Sequence, residues 1–107
     1  MIYYHKAVRD RIPEIIEQEG KKAAVQILEP AGFAAALHRK LQEEVQEYLQ
    51  SEAVEELADL LEVVYALAGL QGTSPEALEA LRLEKRARRG GFEKRLLLVG
   101  VEDGRGQ

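Results

Sequence analysis

The sequence predicts a mainly α-helical protein, folded as a helical bundle in a single domain over residues 1–107. Three observations support this prediction. Ala, Leu, Glu, Arg and Lys, which all favour helices, make up more than half of the 107 residues. Apolar residues recur every three or four positions over long stretches. Residues that typically start and stop helices lie at the ends of those stretches. The length suits one domain.

Four helices are predicted along the chain. The first spans residues 7–19, where isoleucines follow a helical spacing before Gly20. The second spans residues 31–50 and the third residues 53–70. The fourth begins with a serine cap followed by proline at positions 74 and 75, a pair typical of a helix start. It ends at residue 89, before two glycines that favour termination.

Three short segments outside the helices are predicted as strands. They are residues 2–5, residues 23–28 and residues 92–101, the last of which contains the apolar run Leu96–Val99. Apolar and β-branched side chains are common in strands. The sequence leaves the pairing of these segments open.

Composition excludes several classes of protein. The chain has no Cys, so it holds no disulfide, thiolate metal site or cysteine nucleophile, and two His are too few for a multi-histidine zinc site. The net charge is −4, whereas nucleic-acid binders usually present a basic surface. The N-terminus lacks the apolar stretch of a signal peptide, and residues 57–70 are too short and too charged to span a bilayer. We therefore expect a soluble, cytoplasmic protein that binds neither nucleic acid nor membrane.

The third predicted helix is apolar on nearly all sides from Leu57 onward. Such a helix is normally buried on more than one side. Because a chain with so few helices cannot cover all of that surface, we expect a homodimer or a higher homo-oligomer.

Two pairs of acidic residues define the candidate site. Glu44 and Glu47 are three residues apart on the second helix, as are Glu56 and Asp59 on the third, so each pair shares a helix face. If the helices form an antiparallel hairpin that turns near Ser51, the pairs lie at matching heights. Four converging carboxylates repel one another unless a cation joins them. Oxygen ligands favour magnesium, with manganese as the alternative.

The same residues have ordinary alternative interpretations. In a Glu-rich chain, glutamates on a helix are often simply solvated. Asp59, within an apolar helix, could instead accept a buried hydrogen bond or pair with an arginine. A di-metal site for oxygen chemistry is disfavoured because the chain has no Glu-x-x-His motif.

Two basic clusters accompany the acidic pairs. Lys85 and Arg89 lie near the end of the fourth helix, and Lys6 and Arg9 lie near the N-terminus. Together with Lys40 they are predicted to bind the phosphates of a metal–polyphosphate ligand, since Arg and Lys match phosphate oxygens. For the helix end there is a simpler alternative, namely a favourable interaction of cations with the helix dipole.

These motifs resemble those of a known family. Glu43-Glu44-Val45-Gln46-Glu47 followed by Glu56-Leu57-Ala58-Asp59 resembles the EExxE…ExxD signature of the MazG-like all-α nucleoside triphosphate pyrophosphohydrolases. The flanks, at residues 4–16 and 85–92, resemble a small single-domain branch labelled phosphoribosyl-ATP pyrophosphohydrolase-like. The resemblance covers essentially the whole chain.

The resemblance implies an oligomeric helical bundle that hydrolyses nucleoside triphosphates between the α- and β-phosphates with magnesium. Glu44, Glu47, Glu56 and Asp59 would be the metal ligands, and Glu43 the residue that takes a proton from water. On a helical wheel, however, Glu43 points away from the core. The implied role is removal of non-standard or surplus nucleotides.

Two alternative functions remain open from the sequence. One is phosphoribosyl-ATP pyrophosphohydrolase activity in histidine synthesis, and the other is a non-catalytic helical interaction module. Only eight residues, 48–55, separate the acidic pairs, fewer than in most of the family. This gap leaves little room for a loop that reads a nucleobase, so the base and sugar of the substrate are not determined.

Overall fold

The computed structural model describes residues 1–104. Within them lie four helices: α1 (Ile12–Gln18), α2 (Pro30–Ser51), α3 (Val54–Leu70) and α4 (Pro75–Arg89). The prediction of a mainly helical bundle is confirmed. The ends of α2, α3 and α4 lie within one residue of the predicted positions, because their caps and apolar spacing are clear in the sequence.

Helix α1 is shorter than predicted, and residues 7–11 are not helical. Proline has no N–H to donate, and its ring clashes with the carbonyl four residues earlier in a helix interior. With Pro13 in the first turn of α1, no helical hydrogen bond is lost. The helix therefore begins at Ile12 and not at residue 7.

The three strand predictions are wrong. Residues 2–5, 23–28 and 92–101 belong to no strand in the part of the chain that the structure describes. A strand requires a neighbouring backbone for its hydrogen bonds, and these segments do not pair with one another. Residues 92–95 instead form a turn, in which the Arg95 N–H donates to the Phe92 carbonyl at 3.1 Å.

Helices α2 and α3 form an antiparallel hairpin with a two-residue connection. Glu52 adopts a left-handed conformation (φ 54°), and its N–H donates to the Tyr48 carbonyl at 2.6 Å. The Ala53 N–H donates to Ser51 Oγ at 3.2 Å. This tight connection fixes the heights of the two helices relative to each other.

The hairpin carries the small core of the chain. Ala36 and Leu37 of α2 and Val63 of α3 are buried. Helix α4 contacts α3, and Ser74 Oγ caps α4 by accepting the Ala77 N–H at 3.1 Å. From residue 79 to residue 89, every side chain of α4 is exposed.

The chain is much more extended than a compact domain of its size. Its radius of gyration is 19.4 Å and its extents are 71 × 32 × 22 Å, whereas about 13 Å is usual for 107 residues. Its accessible surface is 9729 Å², compared with about 6,000 Å² for a folded monomer of 12 kDa. A large apolar surface therefore has no cover within one chain. Among the described residues, the helices are too short or too polar to cross a membrane.

Candidate metal centre

The hairpin brings together carboxylates from both of its helices. One oxygen each of Glu44, Glu56 and Asp59 can be chosen so that all three lie within 4.8 Å of one another. The same holds for Glu43, Glu44 and Glu47, so Glu44 belongs to both groups. We call these five residues the acidic cluster. The cluster forms because the three-residue spacings place each pair on one helix face and the short turn matches their heights.

Glu44 is the most unusual member of the acidic cluster. Its side chain is only 6% exposed, and Oε1 lies 3.2 Å from Lys40 Nζ. Its second oxygen, Oε2, is buried and has no hydrogen-bond partner among the described residues. A buried oxygen without a partner costs about 1–3 kcal/mol, and more when it is charged. A cation at this oxygen would remove that cost.

Burial raises the pKa of the Glu44 carboxyl, and the negative charges of Glu47 and Asp59 raise it further, whereas Lys40 lowers it. Burial by itself lowers the pKa of Lys40, but its hydrogen bond with Glu44 and the charges of Glu43 and Glu44 raise it overall. Lys40 thus stays charged, and Glu44 resists losing its proton unless a further positive charge is present.

The raised pKa of Glu44 predicts how the stability of the metal-free protein depends on pH. The folded chain holds this proton more tightly than the unfolded chain, so Glu44 favours folding at low pH. Its contribution is complete below about pH 4.5 and is lost as the pH rises through the raised pKa. In EDTA, we expect the melting temperature of wild type to fall relative to that of Glu44→Gln as the pH rises from about 4.5 through the raised pKa of Glu44. Glu55→Gln, on the exposed face of α3, should retain the wild-type pH dependence. Parallel curves for wild type and Glu44→Gln would contradict this expectation.

Asp59 is less buried than its apolar neighbours suggest. Its side chain is 44% exposed, and Oδ1 accepts a hydrogen bond from Arg9 Nη2 at 2.6 Å. The arginine alternative is therefore realised in the structure. Because both side chains are largely exposed, this pair contributes less than about 1 kcal/mol to stability.

Glu43 does not point away from the site as the helical wheel indicated. It is half-buried, with Oε1 at 3.6 Å from Lys6 Nζ and 3.5 Å from Lys40 Nζ. A helical wheel represents a single helix, so it does not include contacts from other parts of the chain. In the structure, the N-terminal segment passes beside the hairpin and places Lys6 next to Glu43.

Three of the five predicted phosphate-binding cations are thus paired with the acidic cluster. They are Lys6, Arg9 and Lys40. Five carboxylates face three cations, so when all five are ionised, as metal binding requires, the negative charges exceed the positive ones by two. That difference equals the charge of one divalent cation. The donor set consists entirely of carboxylate oxygens, which suits Mg²⁺ or Mn²⁺.

Lys85 and Arg89 lie elsewhere, in an open groove of about 520 Å³ at the end of α4. In the described chain, neither residue forms an ion pair or hydrogen bond with the acidic cluster. We call this feature the basic groove. Its lining residues are Arg82, Lys85, Arg86, Arg89, Gly90, Gly91 and Phe92.

The basic groove also includes residues that the sequence did not assign to a site. Arg82 and Arg86 are partly neutralised by ion pairs with Glu79 and Glu93, which lower the pKa of both glutamates. Phe92 lies at the start of the predicted strand 92–101. Its position directly after a basic helix end and two glycines is the sequence signal that could have identified it as a residue of the groove.

Comparisons with known proteins do not assign the chain to a family. The chain matches no protein-family model, and neither the curated proteins nor the solved structures that were searched contain a match.

Proposed function

We propose that this protein is a magnesium-dependent nucleotide pyrophosphohydrolase. It would cleave nucleoside triphosphates between the α- and β-phosphates, giving a nucleoside monophosphate and pyrophosphate. The observation that carries the proposal is the buried Glu44 oxygen without a partner, which lies in a cluster of five carboxylates that faces three cations. The choice of the α–β bond rests on the motif resemblance, as does a role in removing surplus or non-standard nucleotides.

In this proposal, Glu44, Glu56 and Asp59 hold the ion and Glu47 completes the ligand set. When bound, magnesium neutralises phosphate charge and lowers the pKa of the attacking water. Arg9 and Lys40 keep the carboxylates in place, since each contacts one oxygen of its partner: Asp59 Oδ1 and Glu44 Oε1.

Glu43 is the proposed proton acceptor. It is half-buried, with Oε1 beside the ammonium groups of Lys6 and Lys40, and a carboxylate in this position is able to take a proton from water. Glu43 also lies within reach of the ligand set, since its oxygen is within 4.8 Å of those of Glu44 and Glu47.

Lys85 and Arg89 are proposed to hold the phosphates of the substrate. We expect Lys85→Ala and Arg89→Ala each to raise the KM for the nucleotide by about tenfold or more, since charge-assisted hydrogen bonds are lost. Melting temperatures should hardly change because both side chains are exposed. Arg88→Ala is the control, since Arg88 pairs with Glu84 and does not line the groove. Variants that unfold while nucleotide affinity is unchanged would identify helix caps instead.

A homo-oligomer is the proposed state of assembly. The accessible surface exceeds that of a compact monomer of this mass by about 3,700 Å² per chain. Obligate interfaces bury about 2,000–5,000 Å² or more summed over both partners, so the excess per chain is large enough for an obligate dimer or for contacts with several copies. Exposed apolar residues on α3, including Leu57 and Leu61, lie in this surface.

The oligomer can be tested by light scattering on the purified chain. We expect a mass of about 24 kDa or a higher multiple of the chain mass, independent of magnesium. Leu61→Glu should shift the protein toward smaller species, because a charge would be buried in the contact. A monodisperse species of about 12 kDa would show that the apolar surface does not bind a second copy.

The proposed reaction is tested with a panel of canonical and damaged nucleoside triphosphates and phosphoribosyl-ATP. We expect magnesium-dependent release of pyrophosphate from at least one of them. If phosphoribosyl-ATP alone is cleaved, the enzyme belongs to histidine synthesis. If no compound releases pyrophosphate and no magnesium binds, the non-catalytic alternative is correct.

A further inference from the structure

Phe92 is an aromatic ring that lies almost completely in solvent, in the wall of the basic groove. It is 96% exposed, although it is among the most apolar side chains of the molecule. Leaving such a ring in water forgoes the favourable free energy that its burial would contribute. Other apolar side chains, such as Ile27 and Val99, are as exposed as Phe92, so exposure alone does not distinguish it. Phe92 differs from them because its ring lines a groove with four basic residues.

The local backbone holds Phe92 in a defined position. Gly90 has φ +84°, a conformation that favours glycine, and its N–H donates to the Arg86 carbonyl at 2.7 Å. The Phe92 carbonyl in turn accepts the Arg95 N–H, which closes the turn after the helix. One backbone hydrogen bond therefore lies just before Phe92 in the chain, at Gly90, and the other is accepted by Phe92 itself.

Gly91 also contributes to this arrangement. The Arg86 guanidinium pairs with Glu93 across the turn, directly over Gly91, where a Cβ atom would clash with it. The absence of a side chain at Gly91 thus allows the ion pair to join the helix end to the residue after Phe92.

The charges of the groove divide into two kinds. Arg82 and Arg86 are paired with glutamates, whereas Lys85 and Arg89 form no ion pair with any residue of the described chain. Two uncompensated cations therefore lie in the same groove as one exposed ring. Cations bind phosphate and an aromatic face stacks on a nucleobase, so the combination suits a nucleotide.

The turn of the hairpin that carries the acidic cluster offers no surface for a base. The connection between α2 and α3 contains only Glu52 and Ala53, too few residues to form a loop over a bound ring. Two exposed rings lie near the cluster, but both are already in contact with other groups: Tyr4 with Lys6 Nζ, 5.6 Å from the ring centroid, and Tyr3 with the His5 ring. The Phe92 ring has no such contact in the described part of the chain.

We propose that Phe92 stacks on the base of the nucleotide while Lys85 and Arg89 hold its phosphates. This inference rests on the proposed function, because it assigns the base-binding part of the same substrate. Stacking uses the flat face that every base presents, so the contact selects nucleotides over inorganic polyphosphates without selecting one base.

The test compares two ligands by calorimetry on the full chain with magnesium. One is α,β-methylene-ATP, whose α–β linkage resists hydrolysis, and the other is inorganic tripolyphosphate, which has no base. Phe92→Ala should weaken binding of α,β-methylene-ATP by about tenfold, equivalent to about 1.4 kcal/mol, and leave tripolyphosphate binding unchanged. Phe92→Tyr should bind as wild type does. Phe92→Leu, which keeps apolar surface without a ring, should behave like Phe92→Ala. Leu97→Ala, in the same exposed tail but outside the groove, should change neither affinity.

The inference is overturned if Phe92→Ala weakens both ligands equally, weakens neither, or if Phe92→Leu binds as wild type does. A wild-type protein that binds tripolyphosphate as tightly as α,β-methylene-ATP would also overturn it. These outcomes are separate from the fate of the proposed function. Wild type that releases no pyrophosphate would contradict the hydrolase while the selective loss in Phe92→Ala still identified the base contact.

Discussion

Asp59→Asn is expected to abolish hydrolysis, with a loss of about 10³-fold or more in kcat/KM. The substitution removes one anionic oxygen and one negative charge from the proposed ligand set. The site would then no longer hold magnesium, whose charge would stabilise the reacting phosphate. Rates of pyrophosphate release at saturating magnesium, measured for wild type and variant, check this expectation.

Thermal melts separate this role from a structural one. In EDTA, Asp59→Asn should change the free energy of unfolding by less than about 1 kcal/mol, since the exposed pair with Arg9 is lost while repulsion of Glu44 is relieved. Magnesium at 100 times its Kd should stabilise wild type by about 2.7 kcal/mol and the variant hardly at all. If Asp59 only anchors Arg9, Asp59→Asn and Arg9→Ala should have equal effects and both should retain the response to magnesium.

Glu43→Gln is expected to lower kcat by about 10²–10⁴-fold with little change in magnesium affinity. Glutamine keeps the size of the side chain but cannot accept a proton, and proton transfer by a positioned side chain contributes a factor of this order. Glu55→Gln is the matched control, because Glu55 is exposed on α3 beside the cluster and outside both groups of carboxylates.

Magnesium affinity gives a second criterion for Glu43. A residue that accepts a proton without holding the ion can be replaced without loss of the metal, so Glu43→Gln should bind Mg²⁺ about as tightly as wild type does. If Glu43→Gln loses magnesium affinity as strongly as Asp59→Asn does, Glu43 is a ligand and the proton acceptor is another residue. Full activity in Glu43→Gln would exclude it from the reaction.

Features that depend on neighbours along the chain could be predicted from the sequence. Ser74 and Pro75 mark the start of α4, and the spacing of Glu44 and Glu47 fixes a shared helix face. The short connection at Glu52 is local as well, so the approach of the two acidic pairs followed from helix geometry alone. The resemblance to the pyrophosphohydrolase motifs suggested roles for these residues, whereas their positions were predicted from helix geometry.

Features that depend on contacts distant in sequence could not be predicted. The pairing of Arg9 with Asp59 joins residues fifty positions apart, and the same N-terminal segment brings Lys6 to Glu43. No periodicity encodes such contacts. The strand predictions failed for a related reason, because a run such as residues 96–99 has the composition of a strand but pairs with no backbone among residues 1–104.

Magnesium calorimetry on the metal-free protein tests the central claim most directly. Wild type should bind Mg²⁺, and Mn²⁺ likewise, at the acidic cluster, with release of protons near the raised pKa of Glu44 because the ligand must lose its proton on binding. Glu44→Gln should lose this binding, whereas Glu55→Gln should retain it. Absence of magnesium binding in wild type, or equal binding in wild type and Glu44→Gln, would contradict a metal centre at Glu44.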